Sequence, residues 1–298
     1  MLAIAQSQNT FHYLNWIPSE NGPLVTHYGK VPYKTVDVKS LDGLKKILAE
    51  INNEIKNPET SITYSIDSQH ILFSELQTDK LSSDIELMNW HSTQIQDEHF
   101  DDKIQSYHFP FADSLCKNLT IHLGRKTKTS ITESISQLNR DLRVLGIGIF
   151  SAEEGARRWF KADQLDSYLI WKMGKYHTDQ ILFVKNNELV SFIVVKRTHV
   201  MARLINVWGC KKTAKKIVNL IKLYIENQVQ EFSIAERVFV YQSDGSFADV
   251  KQLYNSQVTN VSLLNPLKIL EIESNNQINY FKTLPLAETG IAFRGIDV

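Results

Sequence analysis

Cysteine is nearly missing from this chain. Cys116 and Cys210 are the two present in 298 residues. With no CxxC or Cys/His ligand spacing, they exclude a disulfide framework and a zinc site and fit a reducing compartment. Net charge is missing as well: 33 Lys+Arg offset 33 Asp+Glu, so there is no overall basic field of the kind a general nucleic-acid binder uses. No stretch approaches the roughly 18 apolar residues of a membrane span. The opening Met-Leu-Ala-Ile-Ala-Gln-Ser-Gln lacks the charged and long apolar regions of a signal peptide, so the chain reads as soluble and intracellular. There is no HExxH and no Gly-x-Ser-x-Gly elbow, which removes support for metalloprotease and serine-hydrolase chemistry. His91 and His99 flank a polar helix end and read as surface or cap residues rather than ligands. No low-complexity linker separates one part from another, so the parts are expected to pack closely.

What is present is apolar material, 43% of residues with 10% aromatic, which excludes disorder and supports roughly two domains or one bilobed body. Residues 2–5, 11–17 and 24–30 alternate like strands between Pro/Asn/Gly turns. Leu41, Leu44, Ile47, Leu48, Ile51 and Ile55 then keep the spacing of one helix face, ended by Asn57-Pro58. Residues 62–66 and 70–76 again read as strands. The order returns in the second half. Strands are expected at 168–171, 180–184 and 188–197, with a tight turn at Lys185-Asn186-Asn187. An amphipathic helix carrying Ile217, Leu220, Ile221, Tyr224, Ile225 and Val229 follows, then a strand at 237–241 and a short helix near 247–254. Meander, helix, strand, twice over, is the pattern of a duplicated α/β unit.

Between the halves, Ser83-Asp84-Ile85-Glu86 is a capping box opening a helix to about Asp97. Ser130-Ile131-Thr132-Glu133 opens another with Ile131, Ile135, Leu138 and Leu142 on one face, which Gly146 is placed to end. Strands are expected at 104–111 and 119–123, and a short one at 145–150 before a third capping box, Ser151-Ala152-Glu153-Glu154. This reads as a compact α+β insert.

That element order resembles the actin-like ATPase superfamily, most closely its branch of the type IV pilus assembly protein PilM and FtsA. Local echoes accompany it: a helix at 81–94 with Glu86 and Trp90, a helix–Gly–strand return over 138–150, and the ending Ala287-Glu288-Thr289-Gly290-Ile291-Ala292-Phe293-Arg294-Gly295. The resemblance implies an α/β fold of duplicated ribonuclease-H-like subdomains with a small α+β subdomain inserted in the first. The expected bounds are 1–58 with 145–166 for the first subdomain, 59–144 for the insert and 167–298 for the second.

In that superfamily the first turn of each meander wraps phosphates, using small residues for close backbone approach and an Asp to organise Mg²⁺. Here the first turn is Ala5-Gln6-Ser7-Gln8-Asn9-Thr10, where Ser7 and Thr10 offer hydroxyls but Gly and Asp are missing. The second, Trp171 to Thr178, keeps Gly174 and Thr178 but has Lys172 where the family has Asp, and a Lys cannot ligate Mg²⁺. The nucleoside turn Gln242-Ser243-Asp244-Gly245-Ser246 has one glycine, Gly245, where two are usual. The expectation is a pseudo-ATPase without catalytic residues, metal or cofactor, Gly174 and Gly245 being turn glycines; a divergent actin-like ATPase or nucleotide-binding protein, able to form filaments, is the alternative. PilM-type proteins clasp the short cytoplasmic tail of a bitopic inner-membrane protein between the first and inserted subdomains. By resemblance a PilN-like partner is expected, with Phe73, Trp90 and Tyr107 as groove positions on a cytoplasmic protein held at the membrane through that partner. With the sequence reading to Val298, an FtsA-type amphipathic anchor is not expected. Lys211, Lys212, Lys215, Lys216 and Lys222 make the second-half helix basic, which is read either as a solvated face or as a patch toward anionic lipid.

Overall fold

The structure is a computed structural model of the chain and describes residues 1–7, 9–34, 41–55, 61–78, 85–112, 114–174, 177–242, 247–273 and 278–294, with backbone alone at 114–116. Strands β1 (Leu2–Ser7), β2 (Thr10–Ser19) and β3 (Gly22–Pro32) form an antiparallel meander. Helix α1 (Leu41–Glu54) buries Leu44, Ile47, Leu48 and Ile51, the stripe its spacing predicts. Strand β4 (Ile62–Ile66) then pairs in parallel with β1. Next come β5 (Ile71–Gln77), α2 (Ile85–His99), β6 (Ile104–Phe111), β7 (Ser114–Gly124) and α3 (Arg125–Ser136). β8 (Leu142–Ile147) returns to the first sheet beside β4, and α4 (Gly148–Phe160) follows.

The second lobe is built from β9 (Ser167–Met173), β10 (Thr178–Lys185), β11 (Glu188–Arg197) and β12 (Ala202–Gly209), then α5 (Lys211–Ile225), β13 (Arg237–Gln242), α6 (Ala248–Tyr254) and β14 (Val261–Leu263). Asn186 and Asn187, at φ 50° and 65°, make the tight turn between β10 and β11. A last short strand, β15 (Glu271–Ile272), crosses back to pair with β3. The two six-stranded sheets have the orders β15-β3-β2-β1-β4-β8 and β12-β11-β10-β9-β13-β14. Five consecutive strands, β3-β2-β1-β4-β8 and β11-β10-β9-β13-β14, match one for one in order and direction. The sixth differs: the first sheet borrows β15 from the end of the chain, whereas the second extends its own meander by β12.

A 3₁₀-type helix over Leu284–Phe293, buried along its whole length, locks the lobes together. It lies on α4 so closely that a Cβ on Gly290 would sit 2.5 Å from the Gly155 Cα, while a Cβ on Gly155 would sit 2.5 Å from the Trp159 ring. Phe293 stacks on Trp16 of the first lobe at 5.2 Å and meets the Trp159 ring at 5.4 Å.

Several expectations need correction. β12 was not anticipated, because an edge strand with mixed exposure shows no clean alternation. α3 begins at Arg125 rather than Ser130 and ends at Ser136, so Leu142 and Gly146 belong to β8. Phe150 and Ser151 lie inside α4, and the Ser151 hydroxyl meets Ser65 Oγ at 2.8 Å instead of capping a helix. Val229 falls beyond the end of α5. β4, inside the expected 59–144 insert, pairs with β1 and β8, and β15, inside 167–298, pairs with β3. The separate three-stranded sheet, β5-β7-β6, starts at Ile71. Asn57-Pro58 and Ser83-Asp84 lie outside the described residues.

Candidate functional site

One rung of the second sheet faces the first lobe. Gln180 on β10 sits opposite Lys172 on β9, which neighbours Tyr241 on β13. All three reach across. Gln180 Nε2 donates to Ser68 Oγ at 2.9 Å. Lys172 Nζ lies 2.7 Å from Glu288 Oε1 of the terminal helix, and the Tyr241 hydroxyl donates to the same oxygen at 2.8 Å. The side chains of Lys172 and Glu288 are only 7% and 1% exposed, so this is an ion pair in the dry interior, where an unpaired charge is very costly. Burial lowers the Lys172 ammonium, but Glu288 and then Asp67 outweigh it and hold it above its ordinary value, so Lys172 stays charged. Burial pushes the Glu288 carboxyl up, against the pull of Lys172. α4 opens at Gly148 beside the pair: a Cβ there would stand 3.7 Å from both Glu288 Oε1 and Lys172 Nζ, an ordinary contact distance.

The described residues of the two meander turns are hydrogen-bonded within the protein. At the first, Ser7 pairs directly with Thr10 across β1 and β2, leaving two residues between the strands. The Ser7 hydroxyl donates to the Thr10 carbonyl at 3.0 Å, and the Tyr33 hydroxyl donates to the Ser7 carbonyl. At the second, the Gly174 N–H donates to Asp179 Oδ1 at 3.2 Å, and a Cβ on Gly174 would run into the Thr178 carbonyl. Asp179 is fully buried and accepts from Trp171 Nε1 at 3.0 Å and Arg197 Nε at 2.8 Å. Arg197 also binds Asp249 of α6 at 2.9 Å. Gly245, with the rest of residues 243–246, lies outside the described residues.

A magnesium–triphosphate group needs free backbone N–H donors and a carboxylate able to face the metal. The described residues do not fit it. Lys172 puts an ammonium where the resemblance implies a metal carboxylate, its counter-charge is already Glu288, and the turn donor at Gly174 is spent on Asp179. Among the described residues no group of three or more His, Cys, Asp or Glu is placed to hold a metal ion.

A second feature lies where the three-stranded sheet meets α4 and the second lobe. Phe73, Ile121 and Tyr107 occupy one rung across β5, β7 and β6. Phe73 packs against Phe192 at 5.0 Å, Trp208 at 5.6 Å and Phe150 at 6.3 Å, and Phe109, 43% exposed, stacks on Phe150 at 6.3 Å. The structure therefore brings Phe73 and Tyr107 together but not Trp90. Trp90 is 58% exposed on α2, which covers the opposite face of that sheet. There His91 Nε2 and His122 Nε2 lie 2.9 Å and 2.8 Å from Ser74 Oγ, so His91 turns inward rather than outward. His122 is completely buried, and that burial, with nearby histidines, lowers it to about 4.

Sequence reasoning identified Lys172 but not its partners Glu288, Tyr241 and Asp67, nor Asp179 and Arg197. A single carboxylate within the apolar run Leu284–Phe293 is the signal that was available, since a buried Glu requires a cation. Phe109 and Phe150 had no such signal.

No protein-family model matches the chain, and no curated protein matches it. Among solved structures, a PilM–PilN type IV pilus biogenesis complex matches at TM-score 0.59 and 11% identity, covering 100% of this chain and 98% of that one. The cytoplasmic domain of EpsL, an inner-membrane component of the type II secretion system of Vibrio cholerae, matches at TM-score 0.43 and 11% identity, covering 96% and 93%. Ethanolamine utilization protein EutJ from Carboxydothermus hydrogenoformans matches at TM-score 0.41 and 8% identity, covering 98% and 90%. The chain has the actin-like fold of duplicated ribonuclease-H-like lobes.

Proposed function

We propose that this protein is a non-catalytic, PilM-like adaptor of a type IV pilus or type II secretion-like assembly platform, binding the short cytoplasmic tail of an inner-membrane protein. The observation that carries the non-catalytic part is the Lys172–Glu288 pair, buried where a nucleotide-hydrolysing relative places its metal carboxylate. Phosphoryl transfer depends on a metal that neutralises developing charge; a lysine in that position neutralises a carboxylate of the chain's own last helix instead. The bond from Gln180 to Ser68 ties the lobes directly, which favours a rigid body over a cleft that opens and closes.

The adaptor part is supported by the whole-length likeness to a protein solved in complex with PilN and by the aromatic junction of Phe73, Tyr107, Phe109 and Phe150. An extended tail laid along that junction would bury the exposed ring of Phe109 and be held by main-chain and pocket contacts. No helix of the described residues is long and apolar enough to cross a membrane, so attachment through a partner is consistent with the architecture.

Titration calorimetry with synthetic cytoplasmic tails of bitopic proteins encoded beside this chain tests the reading. One tail is expected to bind saturably, and Phe109→Ser is expected to weaken it about tenfold, roughly 1.4 kcal/mol. Saturable thermal stabilisation by ATP with Mg²⁺ would refute the non-catalytic reading, and absence of any binding tail would refute the adaptor.

A further inference from the structure

Helix α5 carries Lys211, Lys212, Lys215, Lys216 and Lys222 on one solvent-facing side, opposite the buried Ala214, Ile217, Val218 and Ile221. This placement is unfavourable for the helix itself. Four of the five lysines stand in the first two turns, where the macrodipole is positive, and Lys211–Lys215 and Lys212–Lys216 repel at i,i+4 spacing. The first turn holds no acidic residue. Among the described residues none of the five lysines is ion-paired. A solvated face gains nothing from this arrangement, whereas a face that meets an anion does.

The apolar residues beside it make the same case. α5 starts where β12 ends and packs back over β11 and β12. β12 runs antiparallel to β11, with Gly209 opposite Ser191 and Ala202 opposite Arg197, so α5, starting beyond Gly209 and packing back along both strands, brings its last turn toward the β11–β12 hairpin. At that hairpin Val200 is 81% exposed and Met201 48%, and along the edge strand Ile205 is 50% exposed. Leu223, on the lysine side of α5, is exposed too. Exposed aliphatic side chains at the hairpin, with Lys222 on the helix turn nearest it and the other four lysines further along the same exposed side of α5, match the chemistry of a bilayer surface: headgroup phosphates for the ammonium groups and the acyl boundary for the hairpin. A polyanion without an apolar layer would leave Val200 and Met201 unexplained.

We propose that α5 and the β11–β12 hairpin form a docking face for an anionic lipid bilayer. This goes beyond the partner-tail reading: the protein touches the membrane itself, and does so whether or not a tail is bound.

The full chain is sedimented with phosphatidylcholine vesicles containing or lacking 50% phosphatidylglycerol, an amount of order half set by experimental choice to give a strong surface potential. Binding to the anionic vesicles alone is expected. Lys212→Gln with Lys216→Gln is expected to lower the partition coefficient roughly 25-fold, about fivefold per lysine. Its melting temperature should be unchanged or higher, because a dipole conflict is relieved. Val200→Ser with Met201→Ser is expected to weaken the binding that survives high salt, where screening has removed the lysine contribution. Equal binding to neutral vesicles, no binding, or indifference to either pair of substitutions overturns the proposal. So does tighter binding to a single-stranded oligonucleotide or to polyglutamate than to the anionic vesicles.

Discussion

Replacing Lys172 with methionine removes one member of a buried pair while leaving the stem volume nearly unchanged. Glu288, 1% exposed, then faces the interior with, among the described residues, the Tyr241 hydroxyl left to stabilise its charge. Deleting one partner of a buried ion pair costs about 3–5 kcal/mol, because the remaining charge is uncompensated. At about 2.1 cal/mol/K of unfolding entropy per residue, a cooperative chain of 298 residues shifts by roughly 1.6 °C per kcal/mol. The expected fall in Tm is thus about 5–8 °C by calorimetry at pH 7. The pH dependence has a definite sign. Without Lys172, the Glu288 carboxyl is raised further, the folded state takes up a proton that the unfolded state does not, and the penalty shrinks as pH is lowered from 7 toward 5. Lys172→Met with Glu288→Gln removes both charges and keeps an acceptor for Tyr241, so most of the lost stability should return. A loss below about 1 kcal/mol in the single variant, or a double variant no better than the single, would refute the placement of a charged pair in this cleft.

Gly290→Ala forces a Cβ to 2.5 Å from the Gly155 backbone, where nothing flexible can yield. A loss of about 3 kcal/mol is expected, the upper end for overpacking, measured by urea denaturation; a neutral result would disprove the close helix crossing. Gly174→Ala drives a methyl into the Thr178 carbonyl and displaces the N–H bond to Asp179. A loss of about 1–3 kcal/mol should appear in the same assay. Burial holds His12 near 3 and His122 near 4, against an ordinary 6.5. The unfolded chain therefore binds protons the folded chain refuses, and stability falls as pH drops through 6.5 toward 4. Each histidine contributes about 2 kcal/mol to the loss between pH 7 and pH 5. His122→Gln should remove its share of that slope in urea titrations, and a slope left intact would contradict a neutral, buried imidazole.

The parts of the fold legible in sequence are those where local pattern and tertiary outcome agree. Leu44, Ile47, Leu48 and Ile51 mark α1 because only one helix face is buried. β6 is bounded at Ile104 and Phe111 as its alternation predicts. Legibility fails where an element's identity is decided elsewhere in the molecule. The start of α3, Arg125-Lys126-Thr127-Lys128, has no apolar spacing; it is placed by the sheet turning at Gly124 and by Asp102 accepting from the Lys126 N–H at 2.7 Å. Ser151 looks like a cap because its neighbours are acidic, yet it is an interior residue whose hydroxyl is satisfied by Ser65. At the cleft, the missing Asp is visible as Lys172. What occupies its place is not, since Glu288 belongs to a segment remote in sequence and contributes only through the way the lobes close.

The burial of Leu284–Phe293 between α4 and both sheets also bears on how the chain is made. β1 is made well before β15 and Leu284–Phe293, so its sheet receives that strand and its inner cover late. A nascent chain therefore emerges with apolar surfaces that nothing yet synthesised can cover, and its closing contacts have large sequence separation, a slow class of folding event. Premature termination anywhere before Leu284 leaves those surfaces open to proteases. In this architecture, closure of the first sheet waits on the synthesis of Leu284–Phe293.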